Sequence, residues 1–209
     1  MSISIIIPAY NEENEIEKTL KNIPNNVQKI VICNGCNDKT VQIAKKYAQV
    51  IETPKKGVSH ARNLGVKLAK HDKLIFLDAD IKMDEKTIPL ILKTNANIGT
   101  TKVKANSNHP IDNAVMFLKS QIHCLGFNTG LIFCTKEMFH KVNGFDESMT
   151  IHEDGNFLRK CKKQGNFKVL DTHVYNNMRR FRKQGYLKII YYWIKETLFF
   201  SGKDYEAIR

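Results

Sequence analysis

Short apolar, β-branched runs recur through the first eighty residues of this chain, separated by stretches with helical spacing. The runs lie at residues 3–7, 29–33, 49–52 and 74–77, and the helical stretches at 12–21, 37–47 and 58–70, with Ser59 a candidate N-cap. A strand with one wet face alternates apolar and polar residues. A run that is apolar on both faces must be covered on both, as in a parallel sheet flanked by helices. Alternation with short connections therefore specifies an α/β chain, doubly wound around a central sheet. Beyond Asp80 the pattern predicts helices over 84–94, 112–124, 136–142 and 153–164, and strands over 97–104, 129–134 and 167–170. No internal repeat or Pro/Gly/Ser linker divides the chain, so residues 1–209 read as one domain.

The fourth run ends in chemistry. Leu74-Ile75-Phe76-Leu77 is followed by Asp78-Ala79-Asp80. In extended backbone, residues two apart point the same way. Open α/β sheets bind ligands outside the carboxyl ends of their strands. Two carboxylates there repel one another unless a cation sits between them, and a hard ion with oxygen ligands, Mn²⁺ or Mg²⁺, suits them. The alternative is a pair that caps the following helix. A second pair, Glu153-Asp154, opens the helix expected at 153–164. The helix dipole favours acids in that first turn, and a carboxylate facing a cleft can also take a proton from a hydroxyl.

Other features are more open. Cys33-Asn34-Gly35-Cys36 has the spacing of a redox pair, but without the surrounding pattern of one; a turn bringing Asn34 and Gly35 near a ligand is the stronger reading. Lys55-Lys56-Gly57-Val58-Ser59-His60-Ala61-Arg62-Asn63 opens a helix with amides and cations suited to an anion, although Arg62 there could equally be an exposed helix residue. Neither a P-loop nor a Gly-x-Gly-x-x-Gly is present. Thirty-three Lys+Arg against twenty-one Asp+Glu give a net charge of +12, which favours anionic partners without choosing among them. The densest cluster is Arg179-Arg180-Phe181-Arg182-Lys183. It precedes an amphipathic stretch with Leu187, Ile190, Tyr191, Ile194 and Leu198 on one face. Such a segment can lie in an anionic membrane interface or pack on its own domain. No nucleic-acid-binding signature supports a third reading. No run reaches the ~18 apolar residues of a transmembrane helix. The first residues lack the pattern of a signal peptide, and the five scattered cysteines fit a reducing compartment. The expectation is a cytoplasmic chain, peripheral on the cytosolic membrane face if the tail binds lipid.

Taken in order, these residues resemble family 2 glycosyltransferases, which have the GT-A fold. The match runs from Ser4-Ile5-Ile6-Ile7-Pro8-Ala9-Tyr10-Asn11-Glu12-Glu13 through Ile32–Thr40 and Gly57–Asn63. It continues through Asp78-Ala79-Asp80 and Asn128-Thr129-Gly130 to Asn143-Gly144-Phe145-Asp146 and Glu153-Asp154. The resemblance implies a Rossmann-like, mostly parallel sheet with helices on both faces, followed by a C-terminal basic and amphipathic helical segment. It divides the chain into a nucleotide-binding half (1–80), an acceptor half (81–175) and a basic loop with an amphipathic helix (176–209). It implies an inverting, Mn²⁺- or Mg²⁺-dependent transfer of one sugar from a nucleotide-diphosphate sugar to an acceptor, lipid-linked if the tail is membrane-bound. Carried over by position, Pro8, Ala9, Tyr10, Glu12, Asn34, Arg62 and Asp78 would meet the nucleotide-sugar, and Arg179 and Arg180 would clamp its diphosphate. Asp80 would be the main metal ligand with Asp78, and His173 a further candidate. Asp154 would be the catalytic base with Glu153 beside it. Cys33 and Asn34 stand where many members carry acids, and Lys82 where lipid-phosphate sugar synthases often have a neutral metal ligand. Two other classes compete. A sugar-1-phosphate nucleotidyltransferase would want a Gly-rich basic loop after the first strand, where this chain has Pro8-Ala9-Tyr10-Asn11. A non-catalytic nucleotide-sugar-binding module would keep the fold without turnover.

Overall fold

Every strand in the computed structural model, which describes residues 2–121 and 130–191, joins a single sheet. In chain order they are β1 (Ile3–Ala9), β2 (Gln28–Asn34), β3 (Gln49–Thr53), β4 (Lys73–Leu77), β5 (Ile81–Met83), β6 (Ile98–Ala105), β7 (Leu131–Thr135) and β8 (Phe167–Asn176). Across the sheet the order is β3-β2-β1-β4-β7-β6-β8-β5. The first four strands pair in parallel. β7 is antiparallel to both its neighbours, β6 and β8 are parallel, and β5 closes the far edge antiparallel to β8. The helices are α1 (Ile16–Asn22), α2 (Thr40–Ala44), α3 (Val58–Leu68), α4 (Thr87–Lys93), α5 (Pro110–Gln121), α6 (Lys136–Lys141), α7 (Glu153–Lys162) and α8 (Arg179–Gln184). Residues 186–191 are also helical.

The period-2 geometry of strands sorts the apolar residues to two sides. Ile5, Ile7, Val31, Cys33, Ile75, Leu77 and Phe133 face one core, with Ile16 and Leu20 of α1, Ile91 of α4 and Met116 of α5. Ile6, Ile30, Ile32, Leu74, Phe76 and Ile132 face the other, with Ala61 and Val66 of α3 and Phe157, Leu158 and Cys161 of α7. All seven residues of β1 are buried, as a continuous apolar run between two helical layers requires. Pro8 stands inside β1 rather than ending it, and the strand continues through Ala9.

Several expectations shift. Ser59 lies inside α3; the N-cap position is Gly57, at φ 126°. The strand expected at 167–170 runs on to Asn176, and its extra half pairs with β5, a three-residue strand that the sequence did not announce. Where a basic loop is expected, Arg179–Gln184 forms a short helix anchored by buried Met178 and Phe181. In the following helical stretch Ile189 is buried and Ile190 packs half-buried against the core, whereas Leu187 and Tyr191 are exposed. Residues 122–124 of the expected helix, Asn128 and Thr129 of the resemblance, and Ile194 and Leu198 of the tail lie outside the described residues.

Candidate active site

The carboxyl ends of parallel neighbours β2, β1 and β4 open onto one cleft of about 670 Å³. Pro8, Tyr10, Glu12, Asn34, Asp78, Asp80, Arg179 and Arg180 line it, together with Gly57, Val58, Ser59 and His60 at the head of α3. Ala9 lies just behind, in the core at 1% exposure. The loop carrying Tyr10 and Glu12 is braced by the one after β2. The Glu12 amide donates to Thr40 Oγ1 (2.7 Å), the Glu13 amide to Asp38 Oδ2 (3.1 Å), and the Asn37 amide to Asn11 Oδ1 (2.9 Å). Asn11 itself sits at φ 54°, a left-handed conformation that Asn tolerates better than most residues. The Asn37–Thr40 segment is thus a brace that aims Glu12.

The cysteine pair belongs to the same brace. Cys36 Sγ accepts from the Asn11 amide and donates to the Ala9 carbonyl. The hydrogen bond from Cys33 draws the Cys36 thiol down to about 7, and the same contact with burial drives Cys33 up. Both are free thiols. Asn34 lines the cleft and Gly35 takes φ 84°, the turn expected there.

At the floor, Arg62 gathers three acids from distant parts of the chain. Its side chain is 2% exposed, which removes the reading of an exposed helix residue. Nη2 donates to Asp78 Oδ1 (3.1 Å), and Nη1 donates to Glu153 Oε1 (3.3 Å) and to Asp154 Oδ1. Burial alone would lower its pKa, but Asp154, Asp78 and Glu153 together raise it. The guanidinium lies 5.0 Å from the centroid of the Phe145 ring, which stacks on Phe157 at 4.1 Å. Next along α3, Asn63 donates to the Phe145 carbonyl (2.9 Å) and accepts from its amide (3.0 Å). Gly144 is required there: at φ 63°, a Cβ would meet Asn63 Oδ1 at 2.8 Å and Phe139 Cζ at 2.7 Å. The Arg62-Asn63 and Asn143-Gly144-Phe145 segments are therefore two halves of one lock.

The acids differ in setting. Burial pushes Asp78 up to about 6, against the pull of Arg62. Burial and then the charge of Asp154 push Glu153 up to about 7. Burial and the charge of Glu12 also raise Asp80. Glu153 and Asp154 occupy the first turn of α7, after His152 at φ 60°. Glu147 fastens the approach to that turn: it accepts from Lys55 Nζ (2.6 Å) and Asn63 Nδ2 (3.0 Å) and bonds His60 Nδ1 (3.0 Å). Those contacts, led by Lys55 and Asn63, hold its carboxyl down to about 2.

Two predicted residues sit differently from expectation. Arg62 meets acids of the chain itself rather than open cleft. His173, on β8 opposite Lys102 of β6, is absent from the cleft lining; its neighbours are Lys104, Lys102, Asp171 and Asp84. We therefore leave His173 out of the metal set. One residue went unnoticed in the sequence. Lys119 of α5 feels Asp78, Arg180, Asp80 and Asp154, and burial draws its pKa down to about 8. Its spacing from Asp112, Val115 and Met116, all buried, puts it on the inward face of α5 and was the available signal.

The donor set suits a hard divalent ion. Among the described residues no group of three His, Cys, Asp or Glu side chains is placed to hold a metal ion. Mg²⁺-like ions commonly take one or two carboxylates and fill the remaining positions with water and substrate phosphates. Asp78 and Asp80 would supply two, and the burial and repulsion that raise them would be relieved by a cation.

Residues 4–182 match glycosyl transferase family 2. An uncharacterized glycosyltransferase of Haemophilus influenzae is 24% identical over 79% of this chain and 63% of its own length. S. aureus TarS, solved with UDP-GlcNAc, superposes with a TM-score of 0.70 at 21% identity, over 86% of this chain and 59% of that one. The mannosyltransferase PcManGT of Pyrobaculum calidifontis, solved with GDP-Man and Mn²⁺, superposes with a TM-score of 0.71 at 17% identity, over 99% and 66%. These structures share the mixed α/β architecture of the GT-A glycosyltransferases. The chain spans less than two thirds of each of these relatives.

Proposed function

We propose, because this chain belongs to glycosyl transferase family 2, that it transfers a single sugar from a nucleoside-diphosphate sugar to an acceptor, with inversion at the anomeric carbon. The observation that carries the reading is the convergence on Arg62 of Asp78, from the end of β4, with Glu153 and Asp154, from the head of α7. A donor-side acid and two acceptor-side acids thus share one floor. Pro8, Tyr10, Glu12 and Asn34 would receive the nucleotide portion of the donor. Asp154 would take the proton of an acceptor hydroxyl as its oxygen attacks the anomeric carbon from the face opposite the leaving group. Arg180 and Lys119, beside the acids of the cleft, would hold the departing diphosphate. Asp80 with Asp78 would hold Mn²⁺ or Mg²⁺, which when bound offsets negative charge on the leaving diphosphate.

A thermal-shift panel of nucleotide-sugars and nucleoside diphosphates, each with and without Mn²⁺, tests this. A ligand at a hundred times its Kd stabilises by about 2.7 kcal/mol. One nucleotide series should raise Tm in a Mn²⁺-dependent way, and Asp80→Asn should remove the Mn²⁺ dependence. Were every member silent on folded protein, a binding module of another specificity would replace the transferase reading.

The acceptor class we propose is lipid-linked, presented at an anionic bilayer. Ile111, Phe117 and Leu118 of α5 are 51–64% exposed, and Leu187 and Tyr191 of the following helical stretch 67–85%. Asp112 joins the two elements by bonding Arg182 (2.9 Å) and Tyr186 (2.5 Å). Lys183 and Lys188 are exposed in the same segment, in a chain of net charge +12. Apolar insertion beside cations is the chemistry of an anionic membrane surface. Among the described residues no helix is long and apolar enough to cross a membrane. The chain should float with phosphatidylglycerol-containing vesicles and not with phosphatidylcholine alone, and Phe117→Ser with Leu118→Ser should abolish flotation. Self-association removed by the same substitutions, without flotation, would assign the patch to a second copy instead.

A further inference from the structure

The acid expected to bind metal is already in contact with a cation of the protein. Arg179, the first residue of α8, places Nη2 2.6 Å from Glu12 Oε2, 2.8 Å from Glu12 Oε1 and 3.5 Å from Asp80 Oδ2. Glu12 and Asp80 come from the loops after β1 and β4, and Glu12 is 9% exposed. A buried carboxylate beside a half-buried one is stabilised by a neutralising charge. In this structure it is a guanidinium, and it occupies the side of Asp80 turned to Glu12. Arg179 lines the cleft, and its side chain is 29% exposed. Its backbone is fixed, because Met178 and Phe181 are buried on either side. A long side chain on a fixed backbone can change partner by rotation alone.

We propose that Arg179 stands, in the donor-free protein, in the place of a divalent cation beside Glu12 and Asp80, and passes to the donor diphosphate as that cation enters. This rests on the reading of Asp80 with Asp78 as the metal's ligands and adds to it an exchange on the side of Asp80 that faces Glu12. The exchange keeps the two acids neutralised throughout: by Arg179 before the donor arrives, and by the metal afterwards. It also links the two ligands. A cation alone displaces Arg179 without bringing it a new anion, whereas a cation with diphosphate does. Arg179 is thus a positioning residue that makes metal and diphosphate binding mutually dependent.

Mn²⁺ affinity of the full chain, followed by the spin-resonance signal of free Mn²⁺, tests the exchange, with inorganic pyrophosphate as the diphosphate probe. Arg179→Gln should bind Mn²⁺ alone about ten- to a hundredfold more tightly than wild type, the equivalent of one charge-assisted contact removed. The same variant should lose much of the mutual enhancement between Mn²⁺ and pyrophosphate. Arg179→Lys should fall between, and Arg182→Gln, whose partner is Asp112, should bind Mn²⁺ as wild type does. A purely structural role for Arg179 predicts unchanged or weaker Mn²⁺ binding, and that result, with Asp80→Asn still abolishing binding, would overturn the exchange and leave the metal site intact. Absence of Mn²⁺ binding in every folded variant, pyrophosphate present, would overturn both the metal reading and the exchange.

Discussion

Arg62→Met should destabilise the folded chain by about 3–5 kcal/mol at neutral pH, the usual cost of stripping the counter-ion from a buried ionic cluster. Asp78, Glu153 and Asp154 would remain at the floor with no guanidinium between them. The sign of the pH dependence separates this from a simple packing loss. In the variant Asp78 and Glu153 would favour their protonated forms still more when folded, so the folded state would bind more protons than the unfolded one. Stability then rises as pH falls. The deficit relative to wild type should shrink as pH drops from about 7 through the carboxylate range, since Glu153 and Asp78 already stand near about 7 and about 6 with Arg62 present. Denaturant midpoints across that range would show it. Arg62→Lys should recover only part of the loss, because an ammonium is a point charge and cannot fork between Nη1-type and Nη2-type partners. A deficit under about 1 kcal/mol, within the span of an exposed ion pair, would mean that the acids have another counter-ion.

Asp154→Asn should lower kcat by about 10²–10⁴, the contribution of a positioned general base, while leaving the donor-induced Tm shift in place. Asn keeps an oxygen for Arg62 to bind, so the lock around Phe145 should survive. Because burial and the charge of Asp154 hold Glu153 up at about 7, the negative charge beside the base is lost as pH drops through about 7, and kcat/KM should fall with it. Glu153→Gln removes that charge at every pH and should abolish this limb. Nearly full turnover in Asp154→Asn would point to an acceptor that is already ionised, such as a lipid phosphate, and the base assignment would fall.

Local pattern determined a great deal of this molecule. Apolar runs without alternation announced β1, β2 and β4 as strands covered on both faces, and their order with the intervening helices announced the α/β class. The Asp78-Ala79-Asp80 pair stood at the end of a buried strand, where an open sheet leaves its ligands, and Glu153-Asp154 at a helix start. These are short-range features, set by residues a few positions apart. What the pattern left out was set by contacts far along the chain. β5 is three residues long and exists because β8 runs past Leu170 to pair with it. Lys119 shares a helical face with Val115 and Met116, and only the docking of α5 brings it near the acids of the cleft.

The roles within the site were decided by tertiary structure alone. By position, Arg62 was to approach the donor; in the fold it holds acids sixteen and more than ninety residues away. Asn37–Thr40 and Asn143–Phe145 belonged to the stretches that carry the family resemblance, and in the fold they act as braces for Glu12 and Arg62. Arg179 was to clamp a diphosphate, and it bonds Glu12, 167 residues distant in sequence. A sequence records which charges are available. Which cation neutralises which acid depends on burial, since in low dielectric every carboxylate must find its partner within a few ångströms, and that distance exists only once the strands and helices are packed.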